Sequence, residues 1–218
     1  MISTLRGWRQ QVPKDFEFTI KAWQVITHGA SSPTYRRLKT PMSDDKLKLA
    51  GGFRWNEVTR SAWDTTRASA EALQAKTVLF QCPAKFAPTS INIRRMEKFF
   101  SSVDRGDLNF AWEPRGSGWK HDVIQGLCSD LELWHAVDPF VQATSTSDHC
   151  YFRMHGRVRW RYSYELVELE ELAVILPQDN LSYVFFNNTT MTEDASSLLS
   201  LLDGRQGERL GLGIVGPN

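Results

Sequence analysis

TVLFQCP at residues 77–83 and LNFAWEPR at residues 108–115 are short apolar runs with aromatic and β-branched side chains, each ending in polar residues. Between them, residues 90–103 repeat apolar side chains at helical spacing, so the trio reads as strand, helix, strand. The pattern extends in both directions. Strand composition recurs in FEFTIKAW (16–23), LELWHAVD (131–138), CYFRMHG (150–156) and SYVFFNN (182–188), and helical periodicity in 56–75, 119–129, 164–176 and 193–202. Strands that alternate with helices pair in parallel, with the crossover helices packed outside.

The chain has 218 residues, of which 41% are hydrophobic and 23% charged, enough apolar material for a large core and too much for a disordered chain. Lys plus Arg number 26 and Asp plus Glu 25, so no global field holds it on nucleic acid or membrane, and binding of that kind has to be local. No run approaches the ~18 apolar residues of a membrane span, and residues 1–9 lack the apolar run of a signal peptide; a cytoplasmic protein is expected. Cys82, Cys128 and Cys150 form no CxxC and read as structural thiols.

Six strands are two short of a closed (β/α)₈ barrel, which typically needs roughly 250 residues. The expected fold is an α/β, TIM-type barrel that is N-terminally incomplete, because residues 4–11 read as the end of a helix feeding the first strand. An open doubly wound sheet is the alternative. Residues 1–203 are expected to form one domain, with an inserted loop at 29–52 and a loosely docked glycine-rich tail at 204–218.

Side chains two apart share a face of a strand, so parity sorts them. If the greasy parity packs on helices, Lys21, Gln81, Glu113, Arg115, Asp138, Arg153 and His155 fall on the other face, late in five strands. Both barrels and open α/β sheets place active sites at that end. The competing reading is a structural ion-pair layer. Glu113, Asp138 and His155 suit proton transfer, and Lys21 an electrostatic or nucleophilic role. Arg115 and Arg153 suit bidentate grip on an anionic group. His28, Glu113, Asp138 and His155 carry metal-ligating atoms without HxH or HExxH spacing, and no metal site is expected. No GxGxxG or P-loop occurs, and no cofactor is specified. Residues 156–162 interleave Arg157, Arg159 and Arg161 with Trp160 and Tyr162, which suits phosphate gripping or base stacking, or simply a solvated loop.

FEFTIKAWQVITH (16–28), FQCPAKFAPT (80–89), WEPRGSGW (112–119), Asp138-Pro139-Phe140, YFRMHG (151–156) with Tyr162-Ser163-Tyr164, and YVFFNN (183–188) with Asp194-Ala195 together resemble the YecE-like family, also called domain of unknown function 72. The resemblance spans about residues 8–199. It implies a TIM-type barrel and marks Lys21, His28, Glu113, Arg115, Trp119, Asp138, Arg153, His155, Asn187 and Asn188 as recurrent polar positions. Family members begin with a GTSGW-like strand and a second polar-ended strand that do not occur here. The functional expectation is acid/base chemistry on a small anionic, phosphorylated or sugar-like ligand, with His28, Gln81, Trp119, Asn187 and Asn188 helping to bind it. The alternative is non-catalytic binding of nucleic acid or a nucleotide.

Overall fold

The computed structural model describes residues 2–146, 148–158, 160–177, 180–203 and 211–212. They fall into two compact units, Met1–Leu133 and Trp134–Asn218.

In the first unit, α1 (Ile2–Gln10) packs on the long α3. Strand β1 (Thr19–Lys21) precedes α2 (Asp44–Leu49) and α3 (Glu57–Leu73), followed by β2 (Thr77–Gln81), α4 (Ser90–Ser102), β3 (Asn109–Glu113) and α5 (His121–Asp130). The pairing is parallel, Thr19 to Lys21 against Thr77 to Leu79 and Thr77 to Gln81 against Asn109 to Glu113. Helix α3 starts at a cap: the Asn56 side chain accepts from the Val58 and Thr59 amides, and the Thr59 hydroxyl accepts from the Asn56 amide.

Val78, Phe80, Phe110 and Trp112 share a core with Ala62, Trp63, Met96, Phe99, Phe100, Ile124 and Leu127, which fixes this parity as the helix-facing one. At the centre lies Phe53, fully buried, with the rings of Phe80, Phe86, Phe99 and Phe100 centred 5.2 to 6.2 Å from it. Its φ of 53° is costly for an aromatic residue, and packing on four rings offsets that cost.

Strand β1 has three residues where eight have strand composition. The Phe16 amide is used in a turn to the Pro13 carbonyl, 3.1 Å away, and Arg9 holds the Phe16 carbonyl at 2.6 Å, which takes the first residues off the ladder. The expected loop at 29–52 contains a 3₁₀ turn (Pro33–Arg37) and α2, and its end is sewn back onto the chain that follows β1. The amides of Gly51, Gly52 and Phe53 donate to the carbonyls of Val25, Thr27 and Ile26 at 2.8, 3.1 and 3.0 Å. Tyr35 adds a bond from its hydroxyl to the His28 carbonyl at 2.6 Å.

The second unit contains β4 (Leu133–Val137), β5 (Cys150–Met154), α6 (Leu166–Ile175), β6 (Ser182–Phe186), α7 (Met191–Asp203) and β7 (Gly211–Leu212), again with parallel neighbours. Phe152, Met154, Val184 and Phe186 pack with Leu169, Leu172, Leu198 and Leu202 of α6 and α7. The opposite parity holds Tyr151, Tyr183 and Phe185, whose rings contact one another at 4.8 to 6.1 Å. Gly211 and Leu212 of β7 pair with Tyr183 and Val184. The remainder of the expected tail lies outside the described residues.

Gly51 has φ 81°, and a β-carbon there would lie 2.3 to 2.4 Å from backbone atoms of His28 and Gly29. Gly51→Ala should therefore destabilise the fold by at least about 1–3 kcal/mol, read as a lower midpoint of urea unfolding. Gly7→Ala, inside α1 with nothing within 4 Å, should be neutral or stabilising by up to about 1 kcal/mol.

Candidate functional site

The last residues of β1, β2 and β3 are Lys21, Gln81 and Glu113, and all three lie on the parity that faces away from the helices. Register sets Gln81 directly beside Glu113. The Lys21 ammonium donates to Gln81 Oε1, and Gln81 Nε2 donates to both Glu113 oxygens at 3.1 and 3.0 Å. Because the amide oxygen faces a cation and the amide nitrogen a carboxylate, the orientation of Gln81 follows from the charges on either side. Arg115, two residues beyond Glu113, returns its Nε and a terminal nitrogen to Glu113 Oε1, each at 2.8 Å.

Glu113 is thus a buried carboxylate, 5% exposed, held by an amide on one side and a guanidinium on the other. Its two cations differ from it in access: Lys21 is exposed, and the Arg115 side chain is 41% exposed. An anion arriving from solvent meets the positive ends of this chain of contacts before the carboxylate. Behind it, Gly116 (φ 102°) lets the chain pass the Ala84 carbonyl, where a β-carbon would come within 2.7 Å.

His28 is buried on the turn that the returning 51–53 segment supports, and its Nδ1 lies 2.8 Å from the Thr27 hydroxyl. Burial, with the charges of Lys21 and Arg115 adding to it, lowers its pKa from the ordinary 6.5 to about 4. At neutral pH it is an uncharged imidazole. Trp119 is only 7% exposed, donates its indole N–H to the Phe86 carbonyl at 2.8 Å and meets Trp112 edge-on at 4.9 Å. It forms part of the aromatic wall under the 113–118 turn. Cys82 accepts from the Trp112 indole, and burial pushes its thiol up to about 12.

In the second unit, Asp138 follows β4, and its carboxylate accepts the Phe140 and His155 amides, each at 3.1 Å. This pins the loop after β4 to the end of β5. Arg153 lies on the same parity as Tyr151, and His155 and Asn187 sit just past the ends of β5 and β6, with the Asn187 amide donating to the Met154 carbonyl at 2.8 Å. The Asn188 side-chain nitrogen donates to the Tyr162 carbonyl, Thr190 and the buried carboxylate of Asp194. Asp194 also takes the Thr190 hydroxyl at 2.8 Å, which anchors α7 under the 162–164 segment.

The basic loop is partly committed as well. Arg157 reaches Glu168 at 2.5 Å and Glu171 at 2.7 Å, and its guanidinium lies 4.2 Å from the Phe140 ring centre. Trp160 is 59% exposed with Arg161 against it at 5.0 Å, and Arg159 lies outside the described residues. Among the described residues no group of three or more His, Cys, Asp or Glu is placed to hold a metal ion, and no helix is long and apolar enough to cross a membrane. Sequence reasoning missed the aromatic face of Tyr151, Tyr183 and Phe185, although the alternation of rings at 183 and 185 carries the signal, and missed Thr27 and Gly51, which hold His28 and leave no mark in the strand pattern.

The His28 shift has a definite sign. The unfolded chain takes up the imidazole proton near 6.5 and the folded chain only near 4, so the stability contribution is whole above pH 6.5 and is lost as pH falls from 6.5 towards 4. Unfolding free energy should fall by about 2 kcal/mol between pH 7 and pH 5 through this group, and His28→Gln should flatten that part of the denaturation profile.

The family described as "Protein of unknown function DUF72" matches residues 2–211. No protein in a search of curated sequences matches the chain. A DUF72 family protein of Enterococcus faecalis V583, solved at 3.10 Å, is 18% identical with a TM-score of 0.68 over 93% of this chain and 80% of its own. One from Thermotoga maritima MSB8 is 22% identical with a TM-score of 0.65 over 93% and 79%. At these identities the likeness carries the fold, and the family match extends from α1 to β7: the chain belongs to the DUF72 family.

Proposed function

We propose that this protein acts on a small anionic ligand, phosphorylated or sugar-like, by acid/base chemistry at the carboxyl ends of its strands. The observation that carries the reading is the connected run Lys21, Gln81, Glu113, Arg115, in which a buried carboxylate sits behind two solvent-reachable cations. The reading goes with a TIM-type (β/α)₈ architecture, where the carboxyl ends of the strands form the active-site mouth.

Glu113 is the proton-transferring group. Both Arg115 contacts fall on one Glu113 oxygen, so an anionic ligand that draws the guanidinium away lowers the positive charge beside the carboxylate and raises its proton affinity. Ligand binding then prepares Glu113 to carry a proton. Lys21 supplies electrostatic stabilisation, its ammonium being held by Gln81. Neutral His28 orients the ligand as a hydrogen-bonding partner. In the second unit, Asp138 and His155 serve as acid/base groups, Arg153 as an anion contact, and Asn187 and Asn188 as hydrogen-bonding positions; Trp119 stiffens the turn that carries Arg115.

A reading as a nucleic-acid or nucleotide binder draws on the exposed Trp160 and its Arg161 partner. The commitment of Arg157 to two glutamates takes one cation from that surface.

Phosphorylated sugars and nucleotides should raise the melting temperature of the wild-type chain. Glu113→Gln, Arg115→Gln and His155→Asn should each abolish that rise while leaving the unliganded melting temperature within a few degrees. Collapse of the fold in Glu113→Gln and His155→Asn, with no ligand response in wild type, would instead make these residues a structural ion-pair layer. Binding of single-stranded oligonucleotides that weakens steeply with salt and is lost in Trp160→Ala would support the second reading.

A further inference from the structure

Helix α6 has the sequence LVELEELAVI and is apolar on two sides. Leu169, Leu172 and Ala173 are buried against the second unit, which satisfies the demand of an ordinary surface helix for one apolar stripe. The outward positions advance by four: Leu166 and Val167, then Glu170 and Glu171, then Val174 and Ile175. The four aliphatic residues are 59, 63, 72 and 40% exposed. Beside them runs a shallow groove of about 480 Å³ lined by Val167, Glu170, Glu171, Ala173, Val174 and Leu201. An acidic pair flanked one turn away on both sides by aliphatic pairs is a contiguous surface with a charge at its centre.

We propose that this face is a docking surface for an amphipathic helix of a partner protein that carries the reciprocal stripe, basic residues flanked one turn away on either side by aliphatic ones. Charge complementarity selects this occupant. A second copy of α6 laid across the first would bring Glu170 and Glu171 of both copies together and desolvate like charges, which costs far more than the aliphatic contacts return. A basic centre neutralises Glu170, which makes no salt bridge among the described residues, while Glu171 is already held by Arg157 at 2.7 Å. The aliphatic pairs supply the apolar area, and the carboxylates supply polarity and register.

The test uses the full chain and two fluorescein-labelled helical peptides of identical aliphatic stripe, one with a central Lys pair and one with a central Glu pair, read by fluorescence anisotropy. The Lys peptide is expected to bind at least about tenfold more tightly than the Glu peptide, to weaken by at least that factor in Val174→Asp, and to lose its advantage in Glu170→Lys. Val174 is 72% exposed, so Val174→Asp should melt with the wild type, and Glu170→Lys gives a reading independent of it. Failure of both peptides to bind, or equal binding that Glu170→Lys does not alter, overturns the proposal. So does a wild-type dimer in light scattering that Val174→Asp dissociates, which would assign the face to a second copy. Because α6 plays no part in the Lys21 to Arg115 run, ligand responses in the melting assay of the preceding section remain unchanged in both variants.

Discussion

Parallel strands in this protein are buried on both faces, and that constraint governs where charge can go. Every residue of β2, β5 and β6 is buried, so a charged side chain there loses its hydration and has to find a partner, and the one charge these strands carry, Arg153, stands next to last in β5. The terminal residue escapes the constraint, because the chain beyond it opens into turns that bring partners. Gln81 and Glu113 use that position, and Arg115 is carried back to Glu113 by the turn that Gly116 makes possible. The polar chemistry of the first unit is gathered at one edge for the same reason that its core is apolar.

In both units the structure divides its polar residues between those that hold segments together and those that reach solvent. Asp138 accepts two backbone amides, Asn188 and Asp194 join a turn to a helix, and Arg157 bridges to two glutamates. These groups are satisfied by short-range structure. Lys21 and Arg115 are each hydrogen-bonded into the run that ends at Glu113 and still reach solvent. Support for this edge comes from the segment between β1 and α3, whose returning strand of amides at 51–53 fixes the turn that carries His28.

Six strands and the five helices from α3 to α7 were legible from composition and periodicity, since parallel α/β units write their burial as continuous apolar runs alternating with helical spacing. Their ends were less so: β1 is short because a turn captures the Phe16 amide, a backbone event with no side-chain signature. Parity placed Lys21, Gln81 and Glu113 on one face correctly, because the period of a strand is a property of the covalent chain. Asn188 and Trp119 entered through the resemblance, and the contacts they make, to the start of α7 and to an aromatic wall, left no mark in the strand pattern. Which polar residue is already occupied depends on partners 26 or more positions away in sequence, such as Tyr162 for Asn188 and Phe86 for Trp119.

By itself, then, the sequence determined the parallel α/β class, the greasy and polar faces of the strands and the family, all of which follow from local spacing and from motifs read along the chain. Only the tertiary structure decided that Gln81 stands between Lys21 and Glu113, that His28 is held uncharged beside two cations, that the 29–52 segment is sewn down rather than looped out, and that α6 shows a second apolar face. Those outcomes depend on distance in space, where a hydrogen bond of 3 Å or a β-carbon without room is set by the packing of remote segments, and sequence neighbours carry no record of it.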